Sequence, residues 1–305
     1  MASEVKYVEV IKYLYGGLSN NGLTSFVPDK LHLSLMLKLM ANESMDWNNP
    51  RTFNQKIQWL KVNDRNPKYI DLADKCLAKS IVGSQIGFDY IIPMYGKWKR
   101  VDDIDINSLP DRFVLKTNHD CGGVVICRNR SSFDWPSARR KLMKHLSNNY
   151  YYAGREWPYK NIDRCVFAEA LIDANGADLA DYKLFCFSNG RIITLVCTDR
   201  FAPSGMKKTF FDEKWRQLDI REGGHESDGS IPEPDHFGLM KKLASRLSNG
   251  IPFARIDFYD LAGKLYFGEM TFYPNSGFEC FSPDDINEQF GSWIDLSLAF
   301  CNKPS

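Results

Sequence analysis

The chain has 305 residues, 44% apolar and 25% charged, proportions of an ordinary globular protein able to bury a full core. Lys+Arg 39 against Asp+Glu 38 leave a formal charge of +1, so no global field draws it to nucleic acid or an anionic membrane, and local charge must act instead. Residues 31–40, the longest apolar-looking stretch, carry His32, Ser34 and Lys38 and fall far short of the about 20 residues that span a bilayer.

Glu4, Lys6, Glu9 and Lys12 interrupt residues 1–17, which argues against a secretory leader and for a cytoplasmic chain. The cysteines, Cys76, Cys121, Cys127, Cys165, Cys186, Cys197, Cys280 and Cys301, contain no C-x-x-C pair, which disfavours a zinc site or a compact disulfide framework. They read as reduced core residues. Cys121 stands apart in a Gly-containing polar loop, where a reactive thiol is the alternative.

In chain order, the first third reads as helices. Thr52 and Gln55 form a capping box, after which Phe53, Ile57 and Leu60 share one face. A second helix is expected over residues 71–87: Leu77 and Ile81 give an apolar spacing of four, Lys75 and Lys79 project together, and Gly87 supplies the stop. From Phe113 the pattern changes to short β runs, 113–117 and 124–127, joined by a polar tip at 118–123. Arg139, Arg140, Lys141, Lys144 and His145 around Leu142, Met143 and Leu146 mark a surface helix, and residues 166–172 a further strand.

Asn189-Gly190 predicts a two-residue type I′ turn between strands 181–188 and 191–198. Residues 200–234, rich in glycine and proline, read as an irregular segment, mobile or shaping a substrate site. A helix over about 235–249, stopped by Gly250, precedes two β runs at 253–259 and 265–271. There is no internal repeat and no low-complexity tract.

The strongest local signal is Arg255-Ile-Asp257-Phe-Tyr, followed after a turn by Gly268-Glu269-Met-Thr271-Phe-Tyr-Pro274-Asn275-Ser276-Gly277. If Tyr259 pairs with Leu265, Asp257 lies opposite Phe267 and diagonal to Glu269, close enough for both carboxylates to share magnesium. A register shifted by one is expected to separate them. The alternative is a buried Arg255–Asp257 ion pair with Glu269 at a sheet edge. Upstream in the chain, a lysine-bearing strand, a Gly-containing loop and a strand glutamate supply the parts needed to hold a nucleoside triphosphate.

Asp74-Lys75 with Lys79, Lys116 before His119-Asp-Cys-Gly-Gly123, Glu169, Arg200, Asp257 and Glu269 resemble the ATP-grasp superfamily. Phe53-Asn-Gln-Lys-Ile-Gln-Trp-Leu60, Phe113-Val-Leu-Lys-Thr-Asn-His119, Asp181-Tyr-Lys-Leu-Phe-Cys-Phe187 and Phe267-Gly-Glu-Met-Thr-Phe-Tyr-Pro274 are similar to TupA-like ATP-grasp proteins, linked to teichuronopeptide and surface-polysaccharide biosynthesis, over about residues 49–291. The resemblance implies an α+β ATP-grasp fold, two α+β lobes gripping ATP behind a mainly helical N-terminal segment. The expected division is 1–95, 96–172 and 173–305.

It also implies roles. Lys79 and Lys116 would contact the nucleotide phosphates. The 118–123 tip, with His119, would close over them as a lid, Gly122 and Gly123 turning N–H groups toward the anion. Glu169 would take the adenine amino group, with Ala170 and Leu171 backbone reading the ring edge, and Asp173 or Asp178 the ribose. Asp181 and Lys183 share a strand face beside the phosphates or the acceptor carboxylate. Arg200, Lys183 and Arg255 are the catalytic candidates. Asp257, Glu269 and Thr271 are the metal candidates for Mg2+, as two ions. Thr271 stands where many ATP-grasp enzymes have asparagine, and Asn275 is its alternative.

The chemistry implied is a carboxylate–amine ligation through an acyl phosphate, with a uronic acid or polysaccharide precursor and an amino acid as substrates. It involves no nucleic acid and no membrane insertion. The rivals are a phosphotransferase and a sugar-transferring or sugar-binding protein, the latter suggested by Trp59, Trp98, Trp157, Tyr150, Tyr151 and Tyr152.

Overall fold

A computed structural model describes residues 2–172, 179–200, 202–203, 205–223, 225, 228 and 231–300. The chain begins with helices α1 (Ala2–Asn20), α2 (Asp29–Ala41) and α3 (Phe53–Asn63). Thr52 caps α3 by accepting from the Gln55 amide, while the Gln55 side chain returns to the Arg51 amide rather than to Thr52. The helix expected over 71–87 is two helices, α4 (Lys68–Ala73) and α5 (Lys75–Ile86). Asp74 divides them because its carboxylate accepts from the Cys76 and Leu77 amides, which makes it an N-cap and not a mid-helix residue.

Two antiparallel sheets follow. The smaller contains β1 (Met94–Trp98), β2 (Phe113–Thr117), β3 (Val124–Cys127) and, after helices α6 (Trp135–Ser147) and α7 (Tyr151–Gly154), β4 (Val166–Ala170), in the order β1-β4-β2-β3. Strand period two divides its faces. Phe113, Leu115, Val166 and Ala168 pack with Leu142 of α6, which leaves Val114, Lys116, Phe167 and Glu169 on the other side.

The larger sheet has β5 (Asp181–Phe187), β6 (Ile192–Thr198), β7 (Lys207–Phe211) and β8 (Gln217–Leu218). After β9 (Arg221–Glu222) and α8 (Phe237–Leu247), it gains β10 (Phe253–Leu261) and β11 (Lys264–Thr271), giving β11-β10-β5-β6-β7-β8. β12 (Phe281–Ser282) pairs with β9, and α9 (Asp285–Ser292) follows. Among its described residues the 200–234 segment therefore contains three short strands, since β7 adds to the sheet edge at β6, β8 pairs with β7, and β9 finds β12 across the chain. Such distant partners leave no local signal.

One half of one face of the large sheet is aromatic. Phe53 of α3 sits within 5.0–6.4 Å of the Phe185, Phe187, Phe253, Phe281 and Phe290 rings, and each fully buried ring stabilises the fold by about 1.5–3 kcal/mol over an exposed one. Met240, Leu243 and Ala244 of α8 join the same core. No helix among the described residues is long and apolar enough to cross a membrane.

Turn chemistry moved. At Asn189-Gly190 only Gly190 has positive φ (87°), and the Phe187 amide donates to Arg191 O, so the loop is a three-residue turn with glycine in the left-handed position. The two-residue turn with two positive φ values instead joins β10 to β11, at Ala262 (51°) and Gly263 (74°).

His32 on α2 is fully buried. Its Nδ1 accepts from Tyr15 Oη (3.0 Å) and its Nε2 faces the Ala153 carbonyl (3.4 Å), which places the proton on Nε2. Burial, and then Arg155, lower its pKa from 6.5 to about 4. The unfolded chain therefore binds this proton first, and stability present above pH 6.5 is lost as pH falls toward 4. The total is about 3 kcal/mol. Urea denaturation across that window should show the loss in the wild type and not in His32→Leu; equal declines in both would refute the assignment.

Candidate active site

A cleft of about 320 Å³ opens between the two sheets. Its near wall is the outward face of the small sheet, Val114, Lys116, Val124, Ile126, Phe167 and Glu169, joined by Lys75 and Lys79 of α5. Its far wall is Asp181 and Lys183 of β5, Asp257 and Tyr259 of β10 and Glu269 of β11, with Arg200 beyond β6. Both helical lysines do project together: Lys79 Nζ donates to Ile92 O (3.0 Å) and Lys75 Nζ to Asp120 O (2.6 Å).

Glu169 is the counter-ion of the near wall. Lys79 reaches one carboxylate oxygen at 2.7 Å and Lys116 the other at 2.5 Å. Burial works to raise the Glu169 pKa, but Lys116 and then Lys79 outweigh it and hold it below the ordinary value. Burial lowers that of Lys79. Two lysines share one carboxylate, so the wall keeps an excess of positive charge. The Ala170 amide donates to Pro93 O at 2.9 Å and is not available to a ring edge, whereas Leu171 lines the cleft. Asp173 and Asp178, the two ribose candidates, lie outside the described residues.

The 118–123 tip does not have the form expected of a lid. Asp120 ties it down, accepting from Thr117 Oγ1, from the Gly123 amide (3.1 Å) and from His145. Asn118 bonds Asp74 Oδ2 (2.8 Å) and the Cys165 amide (2.8 Å). His119 is fully buried, its Nε2 bonded to Asn148 O at 3.0 Å, and burial lowers its pKa; it does not line the cleft. Neither Gly122 nor Gly123 has positive φ. Gly123 is required for space, since a Cβ there would lie 1.9 Å from Thr117 Oγ1. Gly123→Ala should thus destabilise the protein by about 1–3 kcal/mol through overpacking, read by chemical denaturation; an unchanged midpoint would remove this packing argument. Cys121 is exposed on the cleft, 3.5 Å from Tyr150 Oη, and the seven described cysteines are free thiols.

On the far wall the register differs from expectation. Asp260, not Tyr259, pairs with Leu265, and a bulge between Asp257 and Phe258 then sets Asp257 directly opposite Glu269, not opposite Phe267 and diagonal to it. The one-residue shift expected to separate the acids is cancelled by the extra bulge residue. Asp257 also pairs with Lys183 on β5, so three neighbouring strands present Lys183, Asp257 and Glu269 on one face. Lys183 Nζ lies 2.6 Å from both Asp181 Oδ2 and Asp257 Oδ2, and Arg200 Nη2 is 2.6 Å from Asp181. Arg255 grips Asp257 at 2.7 and 2.8 Å and Glu269 at 2.8 Å. The Arg255–Asp257 ion pair is thus real and coexists with the carboxylate pair.

Burial works against Glu269 ionising, but Arg255, Lys75, Lys183 and Lys116 outweigh it and set the pKa at about 2. For Asp257 burial prevails over Arg255 and Lys183, and its pKa is raised. The two opposed carboxyls are pushed apart. Asp257, Glu269 and Thr271, with Thr271 Oγ1 3.4 Å from Glu269 Oε1, are hard oxygen donors at the cleft. Asp181 Oδ1, buried without a hydrogen-bond partner among the described residues, is a further donor. Among the described residues no group of three or more acids, histidines or cysteines is arranged to hold a metal, but Mg2+ needs only one or two carboxylates beside phosphates and water, so the donors fit. Asn275 points away, its amide to Phe278 O (3.2 Å) and Glu279 (3.4 Å).

The apolar walls escaped the sequence reading, although they were within its reach. Val114 stands two residues before Lys116, and Phe167 two before Glu169, so strand alternation puts each beside its charged neighbour.

An α+β chain whose antiparallel sheets close on such a cleft has the ATP-grasp fold. Within that class, the model of the TupA-like ATP-grasp family matches residues 55–295, and the chain belongs to this family. No curated protein sequence is significantly similar. Among solved structures, D-alanine–D-alanine ligase from Helicobacter pylori is 13% identical over 82% of this chain and 69% of its own, with a TM-score of 0.45. Biotin carboxylase from Campylobacter jejuni, solved with an ATP analogue, is 14% identical over 77% of this chain, with a TM-score of 0.42. The chain spans 47% of that carboxylase's length.

Proposed function

We propose that this chain is an ATP-dependent carboxylate–amine ligase working through an acyl phosphate. The observation that carries this reading is one cleft in which Lys75, Lys79 and Lys116, from the first half of the sequence, face Asp257 and Glu269 from its end. In the proposal, the 96–172 and 173–305 parts grip the nucleotide behind the 1–95 segment, with adenine in the apolar slot of Val114, Ile126 and Phe167. Lys79 and Lys116 turn from Glu169 to the phosphates, leaving that carboxylate to the adenine amino group with Leu171 at the ring edge. Asp257, Glu269 and Thr271 would hold Mg2+, which when bound neutralises phosphate charge and polarises the transferring group.

The carboxylate substrate attacks the γ-phosphate, breaking its bond to ADP and forming RC(O)OPO3²⁻. The amine, entering as R′NH3⁺, loses a proton and attacks the acyl carbon as R′NH2, breaking the C–O bond to phosphate and giving RC(O)NHR′, HPO4²⁻ and one proton in total. Lys183, Arg200 and Arg255 face the transferring phosphoryl oxygens and stabilise their developing charge. Asp181 holds Lys183 and Arg200 in place, at 2.6 Å from each. In this reading one substrate is a uronic acid or related polysaccharide carboxylate and the other an amino acid.

The test is a screen of uronic acids with amino acids that follows ADP and phosphate release, with hydroxylamine present to trap acyl phosphate. Hydroxamate formation dependent on the carboxylate is expected. A stable phosphorylated product without hydroxamate would convert the reading to a phosphotransferase.

A further inference from the structure

On the same face of the large sheet, next to the cleft, lies a second cavity of about 370 Å³, within the range of small-ligand pockets. It shares Lys183 and Arg200 with the cleft, and Arg255 lines it too. At another part of its wall stand two carboxyls, Glu222 of β9 and Glu279, 6% and 3% exposed. The β9–β12 pairing of Glu222 with Phe281 brings them together, and their side chains touch.

Their partners are unequal. Lys208 of β7 pairs with Glu222. Glu279 has the Asn275 amide at 3.4 Å and the neighbouring carboxyl, and among the described residues it has no ion pair. Its backbone is clamped by Asn54, which accepts from the Glu279 amide (2.9 Å) and donates to its carbonyl (2.8 Å). Burial, and then Glu222, push its pKa well above the ordinary value. The other charges of the cavity are already matched: Lys183 with Asp181 and Asp257, Arg200 with Asp181, Arg255 with Asp257 and Glu269. So raised, the carboxyl is held in its neutral form beside Glu222, and a ligand cation would favour its ionised form.

We propose that this cavity binds the amine substrate as a zwitterionic α-amino acid, with its ammonium on Glu279 and Glu222 and its carboxylate toward Lys183, Arg200 and Arg255. This rests on the ligase reading and assigns its second substrate to a place. Lys208 already pairs with Glu222, which leaves about one carboxylate's charge for a ligand, the charge a single ammonium matches.

The experiment is calorimetry on the full chain. Mg2+ and AMP-PNP are bound first; glycine, L-alanine, L-glutamate, L-lysine and, as a probe without a carboxylate, ethanolamine are then titrated singly. At least one amino acid is expected to bind saturably, with ethanolamine about tenfold weaker. Glu279→Gln and Glu222→Gln should each weaken the amino acid by about tenfold or more and leave AMP-PNP affinity unchanged. The second variant keeps the test open if the first misfolds. A wild type that takes AMP-PNP but no amino acid, or variants that bind it as well as the wild type, would overturn the assignment. So would variants that instead lose Mn2+ uptake, which would make the pair a metal site. Failure of the wild type to bind AMP-PNP would sink the ligase reading itself.

Discussion

Glu269→Gln lowers ATP consumption by about three orders of magnitude in an otherwise folded protein; this is the expected result, on the scale of removing one preorganised charge from a phosphoryl-transfer site. The change is isosteric, so packing is kept and a charge is lost. Glu269 is suited to the part because Arg255, Lys75, Lys183 and Lys116 outweigh its burial and hold its pKa at about 2. With the folded pKa depressed below 4.5, the ionised form persists until pH falls through about 2, and the acid limb of a pH–activity profile should report another group. Opposite it, Asp257, raised by burial, is the carboxyl that titrates earlier. Two measurements check this: ADP release with saturating substrates, and Mn2+ binding in the presence of AMP-PNP. Near-normal turnover in a folded variant would take Glu269 out of the site.

Lys183→Met should produce the largest loss of stability, about 3–5 kcal/mol, the scale for breaking a buried ion pair from one side. Lys183 is 12% exposed and lies 2.6 Å from both Asp181 and Asp257. Its own burial works to lower its pKa, but Asp257 and the neighbouring acids raise it; without it, Asp181 keeps Arg200 and Asp257 keeps Arg255 among the described residues. Lys116→Met provides the contrast. Lys116 is 24% exposed, and its partner Glu169 keeps Lys79, so the expected stability cost is about 1 kcal/mol, while AMP-PNP affinity falls about tenfold. Guanidinium denaturation and calorimetry on both variants separate the two roles. Equal stability losses would mean that the Lys183 network does not hold the far wall together.

Bonds between distant segments also position the site. After β11 the chain runs through three successive left-handed residues, Asn275 (φ 44°), Ser276 (53°) and Gly277 (63°), a conformation that costs about 1–2 kcal/mol at each non-glycine. Gln58 and Lys61 of α3 hold it, donating to Ser276 O at 3.0 and 2.6 Å, and Gln58 also to Gly277 O at 2.7 Å. Ser276 Oγ in turn donates to the buried Glu156. Burial lowers the Lys61 pKa to about 7, with Glu156 acting in the opposite direction. The polar side of a helix near the start of the chain thus sets the path of the segment that joins the metal-candidate acids to Glu279.

The residue types on the walls and the strands that carry them were legible in the sequence because each depends on local regularity. Alternation marked Phe113–Thr117 and residues 166–172 as strands, the second ending at Ala170, a spacing of four put Lys75 and Lys79 on one side, and Thr52 carries capping chemistry that needs only the next three residues. What escaped depended on partners far away in sequence. Asp74 reads as part of a continuous helix until Asn118 is seen beside it. His119 looks like a phosphate ligand until Asn148 O is found against its ring. Gly122 and Gly123 suggest a flexible cradle until Asp120, Thr117 and His145 are found to lock it.

Although β1, β7, β8, β9 and β12 were not read from the sequence, it determined by itself the family, the strands that carry the site residues, and the lysines and acids that line the cleft. These follow from side-chain identity and short-range periodicity, which are properties of neighbouring residues. Only the tertiary structure decided that a bulge sets Asp257 opposite Glu269, that Glu169 is shared by two lysines, and that Glu222 and Glu279 meet. Register, burial and charge pairing depend on which distant segments share space, and a linear pattern does not specify that.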